Sequence, residues 1–373
     1  MSDPTTAAEL VRHGVLLRQR GHYADAEGSL LRAIELEHDY AAAHHELGIT
    51  YLEQGQLEDA VDYFQLAVHF APDFVPAWLD LGGALAKLGR ANTAEAAYRE
   101  ALAREPRHGA GWLNLGNLYK AGDDGSAAIE CYQRAVVCDP TLADAHCRLG
   151  YALYKAGRYT ESRPCFDTAL ALRPDMVEAR HNLSLLLLET GHAAEALSGF
   201  QQVLAANSAI IESRACVAHA LRDLGRLDEA IANYDEVLAA DPQFTDAVIN
   251  RSYALLMKGD YAAGWAAYER RFSSAALVVR DFPYPSWQGE PLAGKRILVY
   301  AEQGMGDEIM FASCVPDLLR LAPHCVIECN KRLATLFRRS FPQAHVHGAD
   351  KREDKSWLDK LPQIDCQVAI GSL

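Results

Sequence analysis

The chain of 373 residues is half hydrophobic and carries a formal net charge of −14, so it exceeds one ordinary core, is too apolar for global disorder and calls for two structural units. The whole acidic excess lies before Arg280, after which charges balance; such a body disfavours nucleic acid and anionic membrane, both of which need a positive surface, and suits partners with basic or hydroxyl-rich segments. Met1-Ser2-Asp3-Pro4 is not a basic start to an apolar leader, and the most apolar run, Leu183 to Leu188, is far too short to cross a bilayer, which points to a soluble cytoplasmic protein.

From the N-terminus, glycines recur at Gly21, Gly55, Gly89, Gly157, Gly191, Gly225 and Gly259, in steps of 34 with one double step whose middle position is Asp123. Seven residues before each turn stands a small residue: Gly14, Gly48, Gly82, Gly116, Gly150, Ser184, Ala218 and Ser252. Nine residues after each turn stands a large one: Leu30, Phe64, Tyr98, Tyr132, Phe166, Phe200, Tyr234 and Tyr268. Small residues let two antiparallel helices approach closely, and the large residue is expected to fill the gap against the neighbouring hairpin. The turn glycine takes the positive φ that often ends a helix. Pro72, Pro106, Pro140, Pro174 and Pro242 stop the second helix of five units.

This pattern, recurring eight times from about Thr6 to Phe272, resembles the tetratricopeptide repeat, whose period is about 34. The resemblance implies an α-solenoid superhelix with an extended inner groove, lined by the first helix of each hairpin, that holds a protein or peptide. The sixth position of each unit is expected to face that groove: Arg12, Glu46, Asp80, Asn114, Arg148, Asn182, Cys216 and Asn250. Asparagine donates and accepts at once, so it can clamp a peptide backbone. Asn114, Asn182 and Asn250 resemble in part the asparagine ladder of O-linked N-acetylglucosamine transferases; solvated polar residues are the equally open reading. Asn117 and Arg148 fit parts of the carboxylate clamp of chaperone-binding repeats, whereas Leu113 and Asp144 stand where that clamp needs lysines.

A stretch over 273–295, with Pro283, Pro285 and Pro291, reads as a linker. Beyond it, strands are expected at Arg296–Tyr300, Cys325–Cys329, Ala344–His347 and Ile364–Ile370, with helices at Asp307–Leu321 and Lys331–Ser340. That alternation predicts a small, incomplete Rossmann-like α/β unit over 296–373 with a parallel sheet covered on both faces. The nine cysteines form no Cys-x-x-Cys pair. Cys325 and Cys329 would lie about 13 Å apart on one strand face, too far for one metal ion, so buried thiols are expected, with no metal and no cofactor.

Between the first strand and helix lies Glu302-Gln303-Gly304-Met305-Gly306-Asp307. Loops at strand C-terminal ends line the ligand crevice of open α/β sheets, and Gly304 and Gly306 let backbone come close to a ligand. Ile309 occupies the third glycine position of the dinucleotide fingerprint, and Asp307 and Glu308 would repel a phosphate there. Tyr268-Glu269-Arg270-Arg271-Phe272, Trp287-Gln288-Gly289-Glu290-Pro291-Leu292-Ala293-Gly294-Lys295 and the Glu302–Asp307 loop together resemble bacterial repeat proteins fused to a two-lobed glycosyltransferase domain. The Gly306-Asp307 pair also resembles the heptosyltransferase loop, which implies Asp307 as a base removing a proton from an acceptor hydroxyl; a helix cap is the alternative role. The resemblance covers only about Trp287 to Leu373, one lobe, so a nucleotide sugar is implied only where a second lobe supplies its site. Two functions follow: the substrate-recognition arm of a protein glycosyltransferase, or a pure interaction scaffold with a non-catalytic C-terminal remnant.

Overall fold

The computed structural model describes residues 6–273, 280–350 and 355–373. Packing divides the chain into two compact units, Met1–Cys216 and Val217–Leu373.

The first unit holds six helical hairpins: α1 (Ala7–Gln19) with α2 (Tyr23–Leu36), α3 (Ala41–Glu53) with α4 (Leu57–Phe70), and α5 (Val75–Lys87) with α6 (Ala91–Arg104). They continue as α7 (Gly109–Ala121) with α8 (Gly125–Cys138), α9 (Ala143–Lys155) with α10 (Tyr159–Leu172), and α11 (Val177–Glu189) with α12 (Ala193–Ala206). We call the odd-numbered members A helices and the even-numbered ones B helices. The seven turn glycines have φ between 73° and 90°, and Asp123, with φ 61°, is the one non-glycine at positive φ among the described residues. The repeat register thus survives where its residue does not. All five unit-end prolines stand two residues beyond the end of a B helix.

One expectation is extended. The large residue packs against the next hairpin, Tyr132 with Leu149 and Leu153 of α9 and Phe166 with Ala179 and Leu186 of α11, and in the five hairpins of Gly14, Gly48, Gly82, Gly116 and Gly150 it also seats on the glycine of its own hairpin. A Cβ added at Gly82 would lie 2.6 Å from the Tyr98 ring, and one at Gly116 2.6 Å from the Tyr132 ring. An aromatic ring is flat enough to occupy the space that a missing side chain leaves between two close antiparallel helices, so the pair works as one packing element.

The second unit begins within α13 (Ile211–Asp223) and continues through α14 (Leu227–Ala240), α15 (Thr245–Lys258), α16 (Tyr261–Tyr268) and a 3₁₀ turn, Glu269–Ser273. An α/β lobe follows: β1 (Ile297–Tyr300), α17 (Met305–Phe311), α18 (Val315–Leu321), β2 (Val326–Asn330), α19 (Ala334–Ser340), β3 (His345–Ala349) and β4 (Cys366–Ala369). Its sheet is parallel with order β3-β2-β1-β4. Alternate residues feed two cores: Ile297, Val299, Ile327 and Val368 meet Phe311, Leu318 and Phe337 on one face, and Leu298, Tyr300 and Val326 meet Phe282, Trp357 and Leu358 on the other. The expected single helix from Asp307 to Leu321 starts two residues earlier and is broken by a 3₁₀ turn, Ala312–Cys314. Pro316, the second residue of α18, has no N–H to give to a continuing helix and suits the first turn of a new one. Within the stretch expected as a linker, Pro285–Trp287 run beside β4, with Gln367 donating its N–H to Pro285 and Trp287 donating to Gln367.

Candidate functional site

Two places in the fold gather the residues that the sequence singles out. In the first unit it is the A-helix face. Five consecutive A helices, α3, α5, α7, α9 and α11, are each held to the turn before them by one tether. His44, Trp78, Trp112, His146 and Arg180 donate a side-chain N–H to the carbonyl six residues earlier, at 2.8, 2.8, 2.9, 3.0 and 2.5 Å. Three residue types serve one function because only an N–H of suitable reach is needed. Sequence reasoning missed this device, although a side-chain donor at every step of 34 was visible.

Between A helices runs a second set of contacts. Arg18 of α1 pairs with Glu46 of α3 at 3.0 Å and also with Glu53. His45 of α3 reaches Asp80 of α5 at 2.7 Å, and Arg148 of α9 pairs with Glu178 of α11 at 2.6 Å. His181 of α11 meets the Ser213 hydroxyl at 2.8 Å, and burial holds its imidazole below the usual histidine range, against the opposing pull of Glu212 and Glu178. The groove candidates therefore differ in what they can offer. Asn182 is buried beside the Cys147 thiol, which burial pushes up to about 11. Asn117 accepts the Tyr132 hydroxyl of its own hairpin at 2.9 Å. In the second unit, Asn250 accepts from Arg222 at 2.5 Å. Half-buried Asn114 of α7 makes no side-chain hydrogen bond among the described residues, and its carboxamide is uncommitted.

The second place lies within the second unit, at the carboxyl ends of β1 and β4. The chain leaves β1 for β2 and β3 on one side and returns to β4 on the other, so strand order reverses there. Open α/β folds leave their ligand crevice at such a point. Here it holds the guanidinium of Arg271, 2% exposed. Nη2 donates to Glu302 at 3.1 Å and to the Ser372 hydroxyl at 2.7 Å, while Nη1 donates to Glu269 at 2.7 Å. The Tyr268 and Phe272 rings lie 4.4 and 4.2 Å from the guanidinium carbon. Glu302, 1% exposed, also accepts the Gly371 N–H at 3.2 Å. A residue joining two loops and a helix end in this way is invisible to local patterning.

The other loop residues gather around this pair. Gln303 donates to the Tyr268 hydroxyl at 2.5 Å. Gly304 precedes the first turn of α17, and its N–H donates to Asp307 at 3.1 Å, so the half-buried Asp307 carboxylate satisfies the helix start. Gly306 is exposed with open space around it. Glu308, 1% exposed, accepts the Asn330 N–H at 2.8 Å. A cleft of about 600 Å³ lies alongside, walled by Glu269, Phe272, Trp287, Gln288, Tyr300 and Ser372. Among the described residues no three His, Cys, Asp or Glu side chains are grouped to hold a metal ion. Cys325 and Cys329 are buried in the lobe, and burial pushes both thiols up to about 12. No described helix is long and apolar enough to cross a membrane.

Tetratricopeptide repeat models match residues 11–73, 147–209 and 218–276, another matches 75–118, and a TPR repeat model matches 124–157. Protein FlbA of Caulobacter vibrioides is 37% identical over 133 residues, 32% of this chain and 22% of its own length, so the match spans about a fifth of that relative. Among solved structures, Pseudomonas aeruginosa pilF superposes with a TM-score of 0.52 at 18% identity, over 56% of this chain and 95% of its own. A chain of the APC/C hetero-tetramer Cut9–Hcn1 gives 0.53 at 20% identity, over 68% and 50%. At such identities the likeness is one of fold.

Proposed function

From residue 11 to residue 276 the chain belongs to the tetratricopeptide repeat proteins, and on that premise we propose that it is a peptide- or protein-binding scaffold whose ligand lies on the A-helix face. The observation that carries the reading is the uncommitted Asn114 in the middle of a face on which the other groove candidates Glu46, Asp80 and Arg148 are paired. A carboxamide with free donor and acceptor matches one peptide unit of an extended ligand. Selection of random 12-residue peptides on the purified chain tests it. Bound peptides should lose affinity in Asn114→Ala, about tenfold for a lost pair of hydrogen bonds; unchanged affinity sinks the assignment.

The finer reading makes this scaffold the substrate-recognition arm of a glycosyltransferase-like protein acting on proteins in the cytoplasm. In it, repeats extend to about residue 272, 273–295 join, and 296–373 form the acceptor lobe. Asp307 is then the base, Glu302, Gln303, Gly304 and Gly306 shape the loop, and a nucleotide sugar binds where a second lobe completes the site. The Tyr268–Asp307 signature supports this. The alternative, a scaffold with a non-catalytic lobe, is supported by the Arg271 guanidinium in the crevice and by the bond from Gly304 to the Asp307 carboxylate. Titration with UDP- and GDP-sugars and transfer assays on lysate proteins, using a longer form of the chain, separate the two. Transfer lost in Asp307→Ala supports the enzyme; no binding and no transfer leaves the scaffold.

A further inference from the structure

Six A helices carry a basic residue in their last turn: Arg18, Lys87, Lys120, Lys155, Arg222 and Lys258. A cation there complements the helix dipole, so its presence alone means little. What matters is the partner. Arg18 pairs with Glu46 and Glu53, Arg222 with Asp223, and Lys258 with Asp228 at 2.5 Å. Lys87, Lys120 and Lys155 are exposed, and none has a carboxylate partner among the described residues. The three stand on consecutive A helices, α5, α7 and α9, and the middle one carries Asn114. The Lys120 ammonium lies 4.8 Å from the centroid of the Tyr151 ring of α9, so it leans over the neighbouring A helix. The bordering helices are acidic at the same end, with Glu53 on α3 and Glu189 on α11. An acidic chain thus keeps a short cationic strip at the centre of its proposed binding face.

Resting on the reading that this face binds peptide, we propose that the partner segment is acidic and extended, with carboxylates meeting Lys87, Lys120 and Lys155 in turn. Packed helices lie about 10 Å apart, and a chain in the extended polyproline II form has three residues per turn and advances about 3.1 Å per residue, so every third residue faces the strip and is Asp or Glu. Asn114 takes a peptide unit between them. This departs from the preference for basic partners that the overall charge suggests, because a ligand meets the local field. The recognised groups are side chains within a segment, so a free C-terminal carboxylate is not required.

The test uses the full chain and two capped, fluorescein-labelled probes, (Glu-Ser-Ser)₃ and (Lys-Ser-Ser)₃, in fluorescence anisotropy. The acidic probe should bind and the basic one should not. Its affinity should fall at least about tenfold between 50 and 300 mM salt, and by a similar factor in the reversal K87E/K120E/K155E. Arg134→Glu on α8 is a charge control that should leave binding intact, and an unchanged melting curve shows that the triple variant folds. Equal affinity for the triple variant, or no binding of the acidic probe, overturns the proposal. The random 12-residue selection separates this failure from failure of the broader reading. Peptides free of acid that still depend on Asn114 retain the A-helix face and sink the acidic partner, whereas absence of any selected peptide sinks both.

Discussion

The repeats and the α/β lobe solve the same problem, holding helices or strands in register, by opposite means. In the repeats each contact is local and is made again one unit later: a glycine against a ring, a side-chain N–H against a turn carbonyl, a charge against the next A helix. The lobe instead relies on one side chain that reaches into it, Arg271 of the 3₁₀ turn after α16, which bonds to Ser372, 101 positions away, and to Glu302 of a different loop. Redundancy lets individual residues drift, as at Asp123. A unique keystone does not.

That contrast is sharpened by mutation. Arg271→Ala leaves Glu302 buried without its guanidinium and should destabilise the second unit by about 3–5 kcal/mol, the cost of breaking a buried pair from one side. Arg271→Lys should recover only part, since an ammonium lacks the planar fork. Urea unfolding of the Val217–Leu373 region, followed by its tryptophan fluorescence, measures both; a loss under about 1 kcal/mol would remove the keystone from the account. Gly82→Val drives a side chain into the Tyr98 ring, and should cost about 1–3 kcal/mol. Amide exchange should show the loss confined to hairpins near α5 and α6, because neighbouring units keep their own contacts. Global loss of protection would break the claim of local redundancy.

Two smaller effects probe the repeat register. Asp123→Gly relieves a left-handed backbone at a non-glycine residue and should stabilise by about 1 kcal/mol, read from the denaturation midpoint. His181 is held neutral by burial, its folded pKa below the unfolded value. Stability linked to it is therefore present above the unfolded value of about 6.5 and lost as pH falls below that, towards the depressed folded value. His181→Gln should reduce the pH dependence between 7.5 and 5; an unchanged slope would assign it to other groups.

The fold was legible because its main signals are backbone demands repeated at a fixed step. A positive φ asks for glycine, a stopped helix tolerates proline, and the alternating strands of 296–373 have nowhere to go but a covered parallel sheet. The candidate sites were legible only as residue types. Nothing local tells that Asn117 is taken by Tyr132, that Asn182 turns inward beside Cys147, or that Asp307 is claimed by the Gly304 N–H. The five tethers escaped notice because histidine, tryptophan and arginine share a donor and little else. The unpaired lysines of α5, α7 and α9 acquire meaning only beside their paired counterparts in α1, α13 and α15.

The claim that a ligand lies along the A helices at the middle of the repeats is tested most directly by photo-cross-linking. A selected peptide carrying a benzophenone in place of one side chain, irradiated on the wild-type chain and mapped by mass spectrometry, should mark residues of α5, α7 and α9, including the neighbourhood of Asn114 and Tyr151. Marks concentrated on the B helices, around Arg134 of α8, or on the α/β lobe, would contradict it.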